Sequence, residues 1–275
     1  VESDLTEIYK KLSDLRKLLK SFGSVAIAFS GGVDSTFLLK VAHEELGEKA
    51  VAVTVYSPLI PKKEALDAAN FCKNENIRQF VLELDPLKIP GFKENPENRC
   101  YICKKEIFNK IKDLASENGI FTVCEGSNTD DIGDYRPGMQ AVRELGIKSP
   151  LLECGLTKNE IRILSKEMDL PCWNKPSAAC LASRFVYGEE ITEKKLKMVD
   201  RAEDFLREKG FMQQRVRIHG ENLARIEIEK NDFEKILAVK DEINSFFKEL
   251  GFVYTTLDLT GFRSGSMNEV INERN

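Results

Sequence analysis

The sequence predicts an α/β fold: a doubly wound parallel sheet over residues 1–180, then a smaller α+β domain over residues 181–275. Three observations predict it. Short apolar runs alternate with amphipathic stretches through the first half, the pattern of strands that are buried on both faces and wrapped by helices. A serine and glycine loop joins the first apolar run directly to a helical stretch. After about Leu181 the pattern changes to helix, strand, strand, helix, strand.

The elements follow in order. Residues 5–21 have an amphipathic, charged helical pattern, without the apolar core and small-residue cleavage site of a signal peptide. The first strand is expected at Val25–Phe29, the second at Ala50–Tyr56, the third at Gln79–Leu84 and the fourth at Phe121–Glu125. Helices are expected over 35–46, 62–76, 101–118 and 157–168, the first opening at Ser35 after the glycine pair and the last at Thr157 before KNEI. The stretch PCWNKPSAACLASRFVYG, rich in proline and small residues, reads as a loop between the two halves. Beyond it come a helix over 192–209, strands over 213–218 and 223–228, a helix over 231–249 and a strand over 252–258.

Composition bounds the function. The 275 residues are 42% hydrophobic, enough for an ordinary core, and 31% charged with a net charge of −4. That balance supplies no global basic field for a nucleic-acid backbone, so no nucleic-acid partner is expected. No apolar run approaches the roughly 20 residues that span a bilayer, and a cytoplasmic protein without a membrane partner is expected. Seven cysteines in such a chain read as free thiols or ligands rather than as disulfides.

The strongest local signal is Ala28-Phe29-Ser30-Gly31-Gly32-Val33-Asp34-Ser35. Two glycines let the backbone turn tightly, so that amide N–H groups and the helix dipole converge on an anion. The hydroxyls of Ser30 and Ser35 add further donors. No Gly-Lys-Ser/Thr follows and no G-x-G-x-x-G is present, so the loop is neither a Walker A loop nor a dinucleotide fingerprint. Such a nest can hold pyrophosphate, the alternative being a plain strand-to-helix turn.

Arg99-Cys100-Tyr101-Ile102-Cys103 carries a C-x-x-C, and Cys180 lies in the long loop. A structural zinc site needs four ligands, and only two histidines and no second C-x-x-C accompany these thiols. Three cysteines can hold three irons of a 4Fe-4S cluster and leave the fourth open to another ligand. Buried packing residues and a redox dithiol remain alternative readings of Cys100 and Cys103. Cys72, Cys124 and Cys154 read as packing residues.

The octapeptide resembles the PP-loop of the ATP pyrophosphatases, whose fold is that of the adenine nucleotide alpha hydrolases. That resemblance implies ATP and Mg2+ as cofactors. A substrate oxygen would attack the α-phosphorus, and the loop residues Ser30, Gly31, Gly32, Asp34 and Ser35 would hold pyrophosphate, with Asp34 near the metal. It also marks Glu125-Gly126-Ser127-Asn128-Thr129-Asp130-Asp131, with Gly126 and Asp130 on the nucleotide, at a strand end where open sheets bind ligands.

From end to end the chain is similar to the LarE family of sulfur insertases. The stretches that carry this are AFSGGVDST at 28–36, DYRPG at 134–138, WNK at 173–175, SRFVYG at 183–188, RVRIH at 215–219, ARIEI at 224–228 and LDLTGFRSGSMN at 257–268. The resemblance implies a sulfurtransferase acting on a small nucleotide, pyridinium-3,5-biscarboxylic acid mononucleotide, in nickel-pincer nucleotide biosynthesis, with sulfide or another sulfur donor as partner. It also implies a homo-oligomer. Where family members sacrifice a cysteine this chain has Ala179, and Cys180 comes one residue later, so Cys100, Cys103 and Cys180 match the cluster-dependent type. By position the resemblance adds Arg184 to the catalytic set, and Arg215, Arg217, Glu203, Glu227 and Arg263 to the substrate site. Arg215 and Arg217 alternate on one strand and share a face: by themselves they read as an exposed basic strand face, and with the resemblance as a grip on a phosphate through forked donors. A tRNA thiolation enzyme, a nucleotide-sensing module and an ammonia-dependent synthetase are the competing readings.

Overall fold

The computed structural model describes residues 2–132, 137–176, 179–263 and 265–269. Of the DYRPG stretch, Asp134, Tyr135 and Arg136 lie outside the described residues, as does Ser264 of the last motif. The chain forms two compact units, one of Val1–Leu84 with Cys100–Ser177 and one of Asp85–Arg99 with Ala178–Asn275. The segment 85–99 thus belongs with the C-terminal residues, across the sequence boundary expected at 180.

The first unit runs α1 Glu2–Phe22, β1 Val25–Ala28, α2 Val33–Leu46, β2 Ala50–Tyr56, α3 Lys62–Asn74, β3 Gln79–Glu83, α4 Arg99–Glu117, β4 Val123–Cys124, α5 Gly138–Glu144, α6 Pro150–Glu153 and α7 Lys158–Glu167, with Arg99 itself in the second unit. Its four strands pair in parallel in the order β3-β2-β1-β4. The pleat of β1 sends Val25 and Ile27 into a core shared with Leu15, Leu19, Phe37, Phe71 and Leu164. Ala26 points the other way, into a core with Val51, Val53, Phe108 and Ile111. That two-sided burial is why these strands read as unbroken apolar runs. The strand order reverses between β1 and β4, which leaves a crevice at their carboxyl ends.

The fourth strand is shorter than expected. Phe121 is 82% exposed, and only Val123 and Cys124 pair with β1.

The second unit contains α8 Glu193–Glu208, β5 Gln214–His219, β6 Leu223–Ile228, α9 Phe233–Ala238, α10 Lys240–Leu250 and β7 Tyr254–Leu257. β5 and β6 are antiparallel, and β7 joins β6 in parallel after the helical crossover. One helix was expected over 231–249; the chain breaks it at Val239, whose backbone (φ −112°, ψ 15°) departs from helical values. No helix of the described residues is long and apolar enough to cross a membrane.

Candidate active site

At the end of β1, Gly31 takes φ +73°, and a Cβ there would meet the Ala68 Cβ at 3.3 Å. The turn therefore needs glycine for its conformation and for its approach to α3. Ser30 and Ser35 close the loop, their hydroxyl oxygens 3.1 Å apart, while the Ser35 hydroxyl donates to the Gly32 carbonyl at 3.2 Å. Gly32, the N-cap of α2, provides no side-chain cap. The first amides of a helix need acceptors, and a bound anion supplies them.

The end of β4 forms the opposite wall. Buried Glu125 accepts from the Ser127 backbone N–H at 3.1 Å and from the hydroxyls of Ser127 and Ser149 at 2.7 and 2.5 Å. These bonds shape the turn into Gly126, where a Cβ would come within 3.0 Å of the Ser35 nitrogen. Glycine is thus what lets this loop lie against the start of α2. Asn128 caps the next turn, accepting from the Asp130 N–H at 2.9 Å, and donates from Nδ2 to Asp34 Oδ1 at 3.2 Å. The other Asp34 oxygen accepts from Lys158 Nζ at 2.5 Å. Lys158 is the first residue of α7, and its backbone N–H donates to Asp130 Oδ2 at 2.9 Å.

Burial pushes the Asp34 carboxyl above its ordinary value, against the opposing pull of Lys158. The oxygen donors at hand, Asp34 with Asp131 and Asn128 beside it, suit a hard divalent cation such as Mg2+. The sequence marked Ser30, Gly31, Gly32, Asp34, Ser35, Gly126 and Asp130, and the fold gathers them at one crevice. It did not mark Lys158, which arrives from a helix 124 residues further along the chain.

The WNK stretch also lies close to this loop. Lys175 Nζ reaches Glu64 at 2.6 Å and Asp67 at 3.2 Å, both on the helix that Gly31 approaches.

Among the cysteines, Cys100 and Cys103 lie one turn apart near the start of α4, both half-buried, and Cys180 is exposed. Burial pushes up the other four thiols, Cys72 to about 12 and Cys154 to about 11, with Cys124 and Cys172 also raised. Thiols held protonated in this way are poor metal ligands. Among the described residues, no three His, Cys, Asp or Glu side chains stand grouped as a metal site.

In the second unit the predicted arginines and glutamates form a buried network. Arg184 meets Glu203 through two bonds, Nε at 2.8 Å and Nη2 at 2.7 Å, and its Nη1 donates to the carbonyls of Ala179 and Cys180 at 2.9 and 3.2 Å. Arg184 thereby ties down the backbone that carries the Cys180 thiol. Burial acts to raise the Glu203 carboxyl, but Arg184 and Arg215 outweigh it and hold it low. Arg217 and Arg225 are directly opposite on β5 and β6 and share Glu227, at 2.9 and 3.1 Å. Burial and the charge of Arg184 lower Arg215 to about 10. Nε of Arg217 and of Arg225 are buried without a hydrogen-bond partner among the described residues. Two cations thus face each other across the strand pair over one shared carboxylate. Arg263 pairs instead with Asp258 at 3.1 Å and with Glu269. Arg225, which the sequence reading left out, links the two groups through Asp258 at 3.5 Å.

No protein-family model matches the chain. It is 43% identical over 267 residues to an uncharacterized protein of Synechocystis sp., covering 96% of this chain and 98% of that one. It is 37% identical over 264 residues to the pyridinium-3,5-bisthiocarboxylic acid mononucleotide synthase of Lactiplantibacillus plantarum, covering 96% of this chain and 95% of that one. A more distant similarity, 27% identity over 206 residues, links 67% of the chain to 39% of a glutamine-hydrolysing GMP synthase of Lactobacillus delbrueckii subsp. bulgaricus. Identity of 37% to the Lactiplantibacillus plantarum synthase over 96% of the chain, across both units, makes it an enzyme of the LarE family, the family of pyridinium-3,5-bisthiocarboxylic acid mononucleotide synthase.

Proposed function

We propose that the enzyme uses ATP to adenylate the carboxylates of pyridinium-3,5-biscarboxylic acid mononucleotide and replaces a carboxylate oxygen of each with sulfur. The observation that carries this reading is the 37% identity to the synthase across 96% of the chain. A carboxylate oxygen attacks the α-phosphorus, and pyrophosphate leaves into the amide and hydroxyl cradle of residues 30–35. Asp34 would hold Mg2+, which when bound supplies positive charge against the departing pyrophosphate. The acyl adenylate then accepts a sulfur nucleophile at its carbonyl carbon, and AMP departs with the original carboxylate oxygen. Arg215 and Arg217, on one strand with Arg225 opposite, would hold the substrate phosphate.

Cys100, Cys103 and Cys180 are the thiols that would hold a 4Fe-4S cluster. Cys180 is exposed and Cys100 and Cys103 are half-buried, whereas burial holds the remaining four thiols protonated. Such a cluster, when bound, supplies sulfide on an open iron. The protein's own contribution is to position that loop, through the bonds from Arg184 to the carbonyls of Ala179 and Cys180.

Anaerobic reconstitution with iron and sulfide tests the assignment. Cys100→Ala, Cys103→Ala and Cys180→Ala should each lose bound iron and sulfur insertion while keeping a first-turnover burst of pyrophosphate. Unchanged iron content and thiolated product in any one of them removes that cysteine from the ligand set.

A further inference from the structure

The Asp34 carboxylate has both oxygens occupied, one by Asn128 and the other by Lys158. A divalent cation taking the second oxygen would meet the ammonium's charge beside it and compete with it for the same carboxylate. The two side chains are 23% and 25% exposed, so the pair is neither bulk-solvated nor sealed in. Moreover, the backbone of Lys158 is held independently of its side chain. Its N–H is held by Asp130, and the preceding Thr157 closes a capping box with Glu160, whose carboxylate accepts from the Thr157 N–H at 2.7 Å. A flexible four-carbon stem on a fixed root can move its charge a few ångströms without disturbing α7. The anion cradle of residues 30–35 includes Asp34 itself, in the first turn of α2, so the ammonium on that carboxylate stands beside the cradle.

We infer that Lys158 is an exchangeable counter-ion: it holds Asp34 in the nucleotide-free enzyme, yields that carboxylate to the divalent cation arriving with ATP, and moves to the phosphates in the cradle. The exchange leaves no unpaired charge at either stage. It also makes metal and polyphosphate binding cooperative, because each one rewards the same displacement of the ammonium. Lys158 then neutralises the pyrophosphate as it departs. This rests on the adenylation reading given above, and the test separates the two.

Mn2+ is the probe, followed by its paramagnetic resonance signal, with pyrophosphate as the second ligand. Lys158→Met keeps the stem and removes the competing charge. The variant should bind Mn2+ about tenfold more tightly in the absence of nucleotide, and pyrophosphate about tenfold more weakly, a difference of one decade in each equilibrium. Lys158→Arg should restore pyrophosphate binding. A merely structural ion pair predicts no such opposition: both affinities would fall together with thermal stability. Should the methionine variant fold poorly, Lys158→Gln carries the same comparison. Unchanged or weaker Mn2+ binding in a folded Lys158 variant, alongside normal wild-type binding, overturns the inference alone. A wild type that binds neither Mn2+ nor pyrophosphate overturns the adenylation reading and this inference with it.

Discussion

Asp34→Asn should slow pyrophosphate formation about a thousandfold, the scale seen when a preorganised charge on a transferring phosphoryl group is removed. The substitution keeps the shape of the side chain and its contact with Asn128, so the loop between β1 and α2 should keep its turn. Its ion pair with Lys158 is partly solvated, and such pairs contribute about 1 kcal/mol or less to stability. Steady-state pyrophosphate release and a thermal melt together check the prediction. Activity within a few-fold of wild type, with the fold intact, would show that Asp34 does not hold the metal.

The largest effect on stability is expected at Glu203. Its side chain and that of Arg184 are each only 3% exposed, and the carboxylate also accepts from the Val216 N–H at 3.0 Å. Glu203→Gln keeps the volume but strands the Arg184 guanidinium in the interior without its counter-charge. Removing one partner of such a pair costs about 3–5 kcal/mol. Arg184→Met combined with Glu203→Met should be milder than the sum of the single changes, because no charge is left stranded. Urea denaturation measures all of these. A loss below about 1 kcal/mol for Glu203→Gln would mean that water reaches the pair.

The parts of this molecule that show in the sequence are those governed by neighbours along the chain. Val25-Ala-Ile-Ala announces a strand because both of its faces are buried, and the serine and glycine turn announces an anion cradle because the backbone conformation itself demands glycine at Gly31. Features set by distant partners do not show. Lys158 looks like the exposed first residue of a helix until the fold brings it to Asp34. No element is expected from the sequence over 85–99, yet Asn95, fully buried, donates to the Val186 carbonyl at 2.6 Å and accepts from Arg99 at 2.7 Å. The Arg215 and Arg217 pattern suggested an exposed basic face or a phosphate grip; burial of both, against Glu227 and Glu203, excludes the exposed face. The break at Val239 carries no proline or glycine to mark it, and the short fourth strand ends where pairing with β1 stops, which hydrophobicity alone does not reveal.

The central claim is that ATP activates a substrate carboxylate by joining its oxygen to the α-phosphorus. Substrate labelled with 18O in its carboxylates, incubated anaerobically with the reconstituted enzyme and ATP, tests this most directly by mass spectrometry of the AMP. One labelled oxygen in AMP for every sulfur inserted is the predicted result. Unlabelled AMP accompanying thiolated product would contradict it.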